Sequence, residues 1–152
     1  FKGLAQEMAL KNLELTSGKI VSVCESILGF RHGPKSITND NTLIICMNSI
    51  NDYTNLYDVD LIREISGDFG NHKLAVISYT KNETLKNIVD KYIEINGENV
   101  PEIYTIFNYI LFGQIFGLLN SISLGISPDN PRPDGTVNRV VKGVTIHKYF
   151  KN

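Results

Sequence analysis

The sequence predicts an α/β domain of the flavodoxin-like or Rossmann-like kind, a three-layer arrangement with a parallel sheet flanked by helices. The continuous apolar run TLIICM (42–47) and the next buried strand KLAVISY (73–79) carry that reading, since a strand buried on both faces loses the alternation that a half-exposed strand keeps. Between them lies a helix-length segment, about 55 to 66, entered through the turn residues Asn51 and Asp52 with Thr54 as a candidate cap. Strands alternating with helices argue for parallel pairing through right-handed crossovers. At 152 residues the chain has the size of one domain with a proper core.

The elements follow in order. Residues 3 to 16 read as a first helix, stopped at Thr16-Ser17-Gly18, and KIVSVC (19–24) reads as a strand. A glycine-bounded loop leads to Pro34, where a short helix can start, and Asn39-Asp40-Asn41 makes a turn. Gly67 to Asn71 breaks the second long helix, residues 81 to 90 form a short helix or turn, and YIEI (92–95) is a fourth strand. Nothing resembling a strand and glycine-rich turn precedes the first helix, as an α/β unit requires. The expectation is therefore a fragment lacking its first strand.

The segment from Ile103 to Ile126 is the most apolar. Its length and its Gly113-x-x-x-Gly117 spacing would suit a membrane span, but Asn108, Gln114 and Asn120 interrupt it and no Lys or Arg closely flanks it. A core helix, or one that packs on a second subunit through its glycine face, fits better. A homo-oligomer is expected, with its interface at the fourth strand and this helix, and no membrane. The tail from Ser127 to Asn152 is rich in Pro, Asp and Gly before the strand-like GVTIH (143–147), the composition of a functional loop or a disordered end.

Composition narrows the function. With 42% hydrophobic and 20% charged residues and a net charge of -1, the chain has no basic excess for nucleic acid and no acidic tail. Cys24 and Cys46 sit in apolar runs as small hydrophobes, which fits a reducing cytoplasm. His32, His72 and His147 are far apart and lack metal-ligand spacing, so no metal is expected.

Two stretches carry chemistry. At about 100° per residue, Glu7, Lys11 and Glu14 project from one narrow arc of the first helix, between Leu4, Met8 and Leu15 on one flank and Leu10 on the other. A carboxylate beside a cation and a second carboxylate can serve in proton transfer; the same spacing also describes a plain stripe of surface ion pairs. In the loop Gly29-Phe30-Arg31-His32-Gly33-Pro34-Lys35, three cationic or polar donors fall within five residues. They suit an oxygen-rich ligand, or equally a loop made basic for solubility.

The order and spacing of QEMALKNLELTSGK, GFRHGPKS and PDNPRPDGTVNRVVKGVTI resemble the sugar isomerase domain family, and within it the group of tagatose-6-phosphate ketose/aldose isomerases, also described as galactosamine-6-phosphate deaminases. A more distant similarity runs to the isomerase half of glucosamine-6-phosphate synthase. The resemblance implies a cofactor-free aldose–ketose interconversion, with Glu14 as general base, His32 as the ring-opening group and Glu7 beside them. Lys11, Arg31, Lys35, Arg139 and Lys142 would hold the substrate. It further implies that residues 1–152 form the second of two such domains in one polypeptide, with the first domain as partner and the tail, 127–152, folded over the sugar site. No Ser/Thr/Gly-rich phosphate loop is evident at a strand-to-helix turn, so that loop is expected outside the chain. A sugar-phosphate sensor without turnover and a deglycase acting on a fructosamine-6-phosphate-type adduct remain open beside the isomerase.

Overall fold

The two apolar runs form the centre of the sheet. Strands β1 (Leu43–Met47) and β2 (Lys73–Ser78) pair in parallel, and β3 (Lys91–Glu94) joins the far side of β2, giving the order β1-β2-β3. This computed structural model describes residues 1–97, 99–137 and 140–150. The remaining elements are the helices α1 (Lys2–Leu15), α2 (Ile27–Phe30), α3 (Asp52–Ser66), α4 (Glu83–Lys86) and α5 (Glu102–Ser123), with a 3-10 turn at Pro34–Ile37. The parallel sheet flanked by helices is the predicted α/β architecture.

The pleat divides β2 between two faces. Leu74 and Val76 join Cys46 of β1 and pack on Leu61, Ile62 and Ile65 of α3, with Leu85 of α4 closing the cluster. Each such side chain contributes about 1.5–3 kcal/mol on full burial. Burial also raises the Cys46 thiol to about 12, so it packs as an inert hydrophobe. Ala75 and Ile77, both buried, point to the opposite face. There α5 meets the end of the sheet: the Tyr109 hydroxyl donates to the Asn48 carbonyl at 2.6 Å, and the Tyr109 ring meets Tyr79 edge-on at 5.7 Å.

The glycine spacing in α5 is spent inside this chain. A Cβ at Gly113 would lie 2.3 Å from Met8 Cγ, and one at Gly117 would lie 3.2 Å from Leu15 Cδ1, so the close approach requires the glycine at 113 and is eased by the one at 117. The buried Asn12 completes the seam: its side-chain oxygen accepts from Asn120 Nδ2 at 2.8 Å and its amide donates to Ser22 Oγ at 2.7 Å. Helix α5 is long and apolar enough to cross a membrane by length and composition, but its glycine face is committed to α1. Its other face, with Tyr104, Phe107, Leu111 and Leu118, is exposed, so the expected core helix is buried on one side.

Local chemistry shifts several boundaries. Asn51, not Thr54, caps α3, accepting from Thr54 N at 3.1 Å, so the helix starts at Asp52 and not near 55. Helix α1 ends at Leu15, and Ser17 and Gly18 take positive φ of 55° and 76°, the left-handed exit that glycine favours. The expected helix at 81–90 shrinks to α4, and the expected fourth strand is β3. Two expected strands do not form. Lys19 and Ile20 lie in a bend and 21–24 belong to no ladder, while 143–147 lie in an irregular, exposed tail. A strand exists only where a neighbour supplies hydrogen bonds, and neither segment meets one among the described residues.

The α1–α5 seam yields a test. Gly113→Ala places a methyl on Met8 and is expected to cost about 1–3 kcal/mol by overpacking, measured by urea denaturation. Adding Met8→Ala should remove part of that overpacking, so the two changes together cost less than their sum; strict additivity would show that the seam is looser than described.

Candidate active site

The inward turn of Met8, Asn12 and Leu15 fixes what the rest of α1 presents. Glu7, Lys11 and Glu14 lie about 100° round the helix from that seam, on its flank, and their side chains keep between 32% and 42% of their exposure. Lys11 Nζ donates to Glu14 Oε2 at 2.8 Å and lies 3.8 Å from Glu7 Oε1. The bond to Glu14 raises the Lys11 ammonium above its ordinary value, so it is a cation at neutral pH. At this exposure the pairs contribute about 0–1 kcal/mol to stability. Chemically the arrangement offers a half-shielded carboxylate oriented by a permanent cation.

The loop after α2 is shaped by two glycines. Ser26 caps α2 by accepting from Gly29 N at 3.1 Å, and a Cβ at Gly29 would lie 2.6 Å from that hydroxyl. Gly33 has φ 137°, outside the range of other residues. Between them His32 is exposed, and its ring makes no hydrogen bond among the described residues. Arg31 and Lys35 are held by α3: Arg31 Nε lies 2.7 Å from Glu64 Oε2, and Lys35 Nζ lies 2.7 Å from both Glu64 Oε1 and Asp68 Oδ2. Hydrogen bonds to Asp68 and then Glu64 raise Lys35, and the Lys35 bond holds the Glu64 carboxyl below its usual range. Arg31 and Lys35 line an open cavity of about 420 Å³ with Ser36, Thr38 and Phe69.

The structure therefore brings together Glu7, Lys11 and Glu14 in one group, and Arg31 and Lys35 in another. No hydrogen bond or ion pair joins the two groups among the described residues; α1 is tied to the following segment by Lys2 to Glu25 at 2.8 Å and by Asn12 to Ser22 at 2.7 Å. Lys142 is exposed in the irregular tail. Arg139 lies outside the described residues. Sequence reasoning passed over Arg132, which brings the tail to the end of α1: its guanidinium reaches Ser17 Oγ at 3.4 Å and Asp134 at 3.1 Å, while its Nε is buried without a partner. The PRPD turn around it was the available signal.

The junction between β1 and α3 was also read only as a polar turn. Its donors converge as in an anion-binding nest, and the protein's own carboxylates occupy them. Ser49 N donates to Asp58 Oδ2 at 2.7 Å, and Ile50 N donates to Glu102 Oε1 at 3.1 Å. The Ser49 hydroxyl also donates to Glu102. Burial pushes Asp58 up while the bond from Ser49 pulls it down, and burial prevails. Asn48 Oδ1 is buried beside this junction without a partner. In this arrangement the nest is closed to a phosphate by charge as well as by hydrogen bonding.

The parallel α/β domain carries the charged helical triad on α1 and the His-Gly-Pro loop after α2. No family model matches the chain. It is 41% identical over 150 residues to D-galactosamine-6-phosphate deaminase AgaS of Shewanella sp. (strain ANA-3), covering 99% of this chain and 36% of that protein. It is 38% identical over 149 residues to the protein of that name from Escherichia coli, covering 97% of this chain and 38% of its relative. Among solved structures, a protein described as a tagatose-6-phosphate ketose/aldose isomerase from Clostridium novyi NT superposes with a TM-score of 0.92 at 45% identity, over 97% of this chain and 38% of that one. The tagatose-6-phosphate ketose/aldose isomerase of Escherichia coli gives 0.83 at 31% identity, over 98% and 37%. Over nearly its whole length the chain is similar to these deaminases and isomerases. It spans less than two fifths of the length of the relatives it matches.

Glu64 gives the loop a pH dependence. Its folded pKa is lowered, so the tether to Arg31 and Lys35 holds above the ordinary value of 4.5 and is lost as pH falls through the lowered one. The Arg31 Nε–H signal in NMR is expected to stay constant down to about pH 4.5 and to move below it. In Glu64→Gln that step should be absent; its survival would assign the titration to another group.

Proposed function

We propose that this chain is the second sugar isomerase domain of a phosphosugar isomerase/deaminase, which converts an aldose 6-phosphate such as galactosamine 6-phosphate to the ketose tagatose 6-phosphate. The observation that carries the proposal is the Glu14–Lys11 pair, kept half-exposed on the flank of α1 in a chain 41% identical to a D-galactosamine-6-phosphate deaminase. A structural ion pair needs no such flank, whereas a base must reach its substrate.

The chemistry moves one proton between adjacent carbons. His32 assists ring opening, Glu14 takes the proton from carbon 2, and an enediol forms whose oxyanion needs nearby donors. Glu14 returns the proton to carbon 1. With an amine at carbon 2 the same transfer runs through an enolamine to an imine, which water hydrolyses with release of ammonia. Lys11 orients Glu14, and Glu7 shares the ammonium. Arg31, Lys35, Arg139 and Lys142 are assigned to the anionic substrate, with the tail, 127–152, lying over it. For Arg31 and Lys35 that role requires partial release from Glu64 and Asp68. We assign the first domain of the same polypeptide as a partner, the phosphate loop to chain beyond these residues, and the assembly to a cytoplasmic homo-oligomer.

Glu14→Gln in the full polypeptide is expected to lower conversion by roughly 10²–10⁴-fold while binding of the sugar phosphate survives. Ammonia release from galactosamine 6-phosphate, with glucosamine 6-phosphate as the comparison, reads the reaction directly. Unchanged conversion removes Glu14 from its role; binding without conversion in the unaltered protein makes the domain a sensor.

A further inference from the structure

We propose that Arg132 is a positioning residue: through Ser17 it seats the tail on the end of α1, next to the turn that carries Glu14. The proposal rests on the reading of the tail as lying over the substrate. Helices α1 and α5 run in the same direction, since Gly113 stands at Met8 and Gly117 at Leu15, so their C-terminal ends lie side by side. The root of the tail is fixed at the end of α5, where Ser121 Oγ donates to the Ile126 carbonyl at 3.0 Å and Ile126 N donates to the Ser121 carbonyl at 2.9 Å. From there the chain crosses to the end of α1, where Arg132 Nη1 reaches Ser17 Oγ at 3.4 Å.

The receiving end is joined directly to the candidate base. Ser17 N donates to the Glu14 carbonyl at 3.0 Å and Gly18 N donates to the Leu13 carbonyl at 2.9 Å, the bond pair of a Schellman motif. In that motif the residue at the position of Ser17 takes left-handed backbone and is usually glycine. Here it is a serine at φ 55°, which accepts that conformation at a cost that glycine avoids. The hydroxyl kept at that cost is the one Arg132 binds. Helix α1 has no basic residue in its last turn, so the guanidinium also supplies the cation that a helix C-terminus favours.

The tail holds Arg132 in place from its own side. Arg132 Nη2 lies 3.1 Å from Asp134 Oδ2, Asp134 Oδ1 accepts from Thr136 N at 2.9 Å, and Gly135 N donates to the Arg132 carbonyl at 3.0 Å. The tail is half-buried at Pro131 and Arg132 but exposed at 140–150. The contact with Ser17 therefore lies between the fixed root and the part, with Lys142, that is assigned to the substrate. An arginine kept only for solubility holds its head group in water, whereas the Nε of Arg132 is buried without a partner. A buried open donor is costly, and an acceptor supplied as the tail closes removes that cost.

Ser17→Gly in the full polypeptide separates positioning from stability. It relieves the left-handed serine, so Tm is expected to hold or rise. The hydrogen-bonded amides of Asn130, Gly135 and Thr136 should nevertheless exchange on the order of 10-fold faster, and KM for galactosamine 6-phosphate should rise roughly 3- to 10-fold while kcat changes less. Arg132→Ala should have the same effects on exchange and KM, Arg132→Lys should restore part of them, and the double variant should be no worse than either single one. Unchanged exchange in both single variants overturns the contact; faster exchange with unchanged KM overturns its role in positioning; strict additivity in the double variant overturns the link between Arg132 and Ser17. Absence of turnover in the unaltered polypeptide counts against the proposed function instead, and the exchange rates then decide the contact alone.

Discussion

The rest of the structure depends on the close approach of α1 to α5, permitted by Gly113 and Gly117 and locked by Asn12. Two helices without those glycines would stand farther apart, and Asn12 would lose its reach to Asn120. That single amide joins α1 to the segment that follows it and to α5, the latter across 108 residues. It also decides the rotation of α1. Once Met8, Asn12 and Leu15 are committed inward, Glu7, Lys11 and Glu14 have nowhere to go but the flank. The candidate chemistry is thus a consequence of packing, and a change at either glycine would reach it indirectly by turning the helix that carries it.

Much of this was legible because it is local. The runs around Ile45 and Val76 are apolar on every residue, and a parallel strand covered on both faces leaves no other pattern; the helix between them followed from length and turn chemistry. The charged triad was legible for the same reason, since its ion pairs run within one helix. What was not legible depends on a neighbour. KIVSVC has the composition of a strand, yet a strand is a pairing, and its partner is not among these residues. GVTIH failed in the same way. The α5 run was read as buried because it is apolar, but composition does not say how many sides are covered, and here one face meets α1 while Phe107 and Leu111 face out. Arg132 was passed over because its meaning lies in a contact with Ser17 across 115 residues.

Charge is handled differently at three places. On α1, one ammonium serves two carboxylates and leaves them half in solvent. At the loop, Arg31 and Lys35 are neutralised by Glu64 and Asp68, so a loop that looks basic in sequence presents little free positive charge. At the β1–α3 junction, Asp58 and Glu102 fill a nest of backbone donors with negative charge. Only the first of these leaves a charged group both oriented and open to approach. This is why Glu14 is a stronger candidate for chemistry than any member of the basic loop, although the loop has the denser cluster of polar residues.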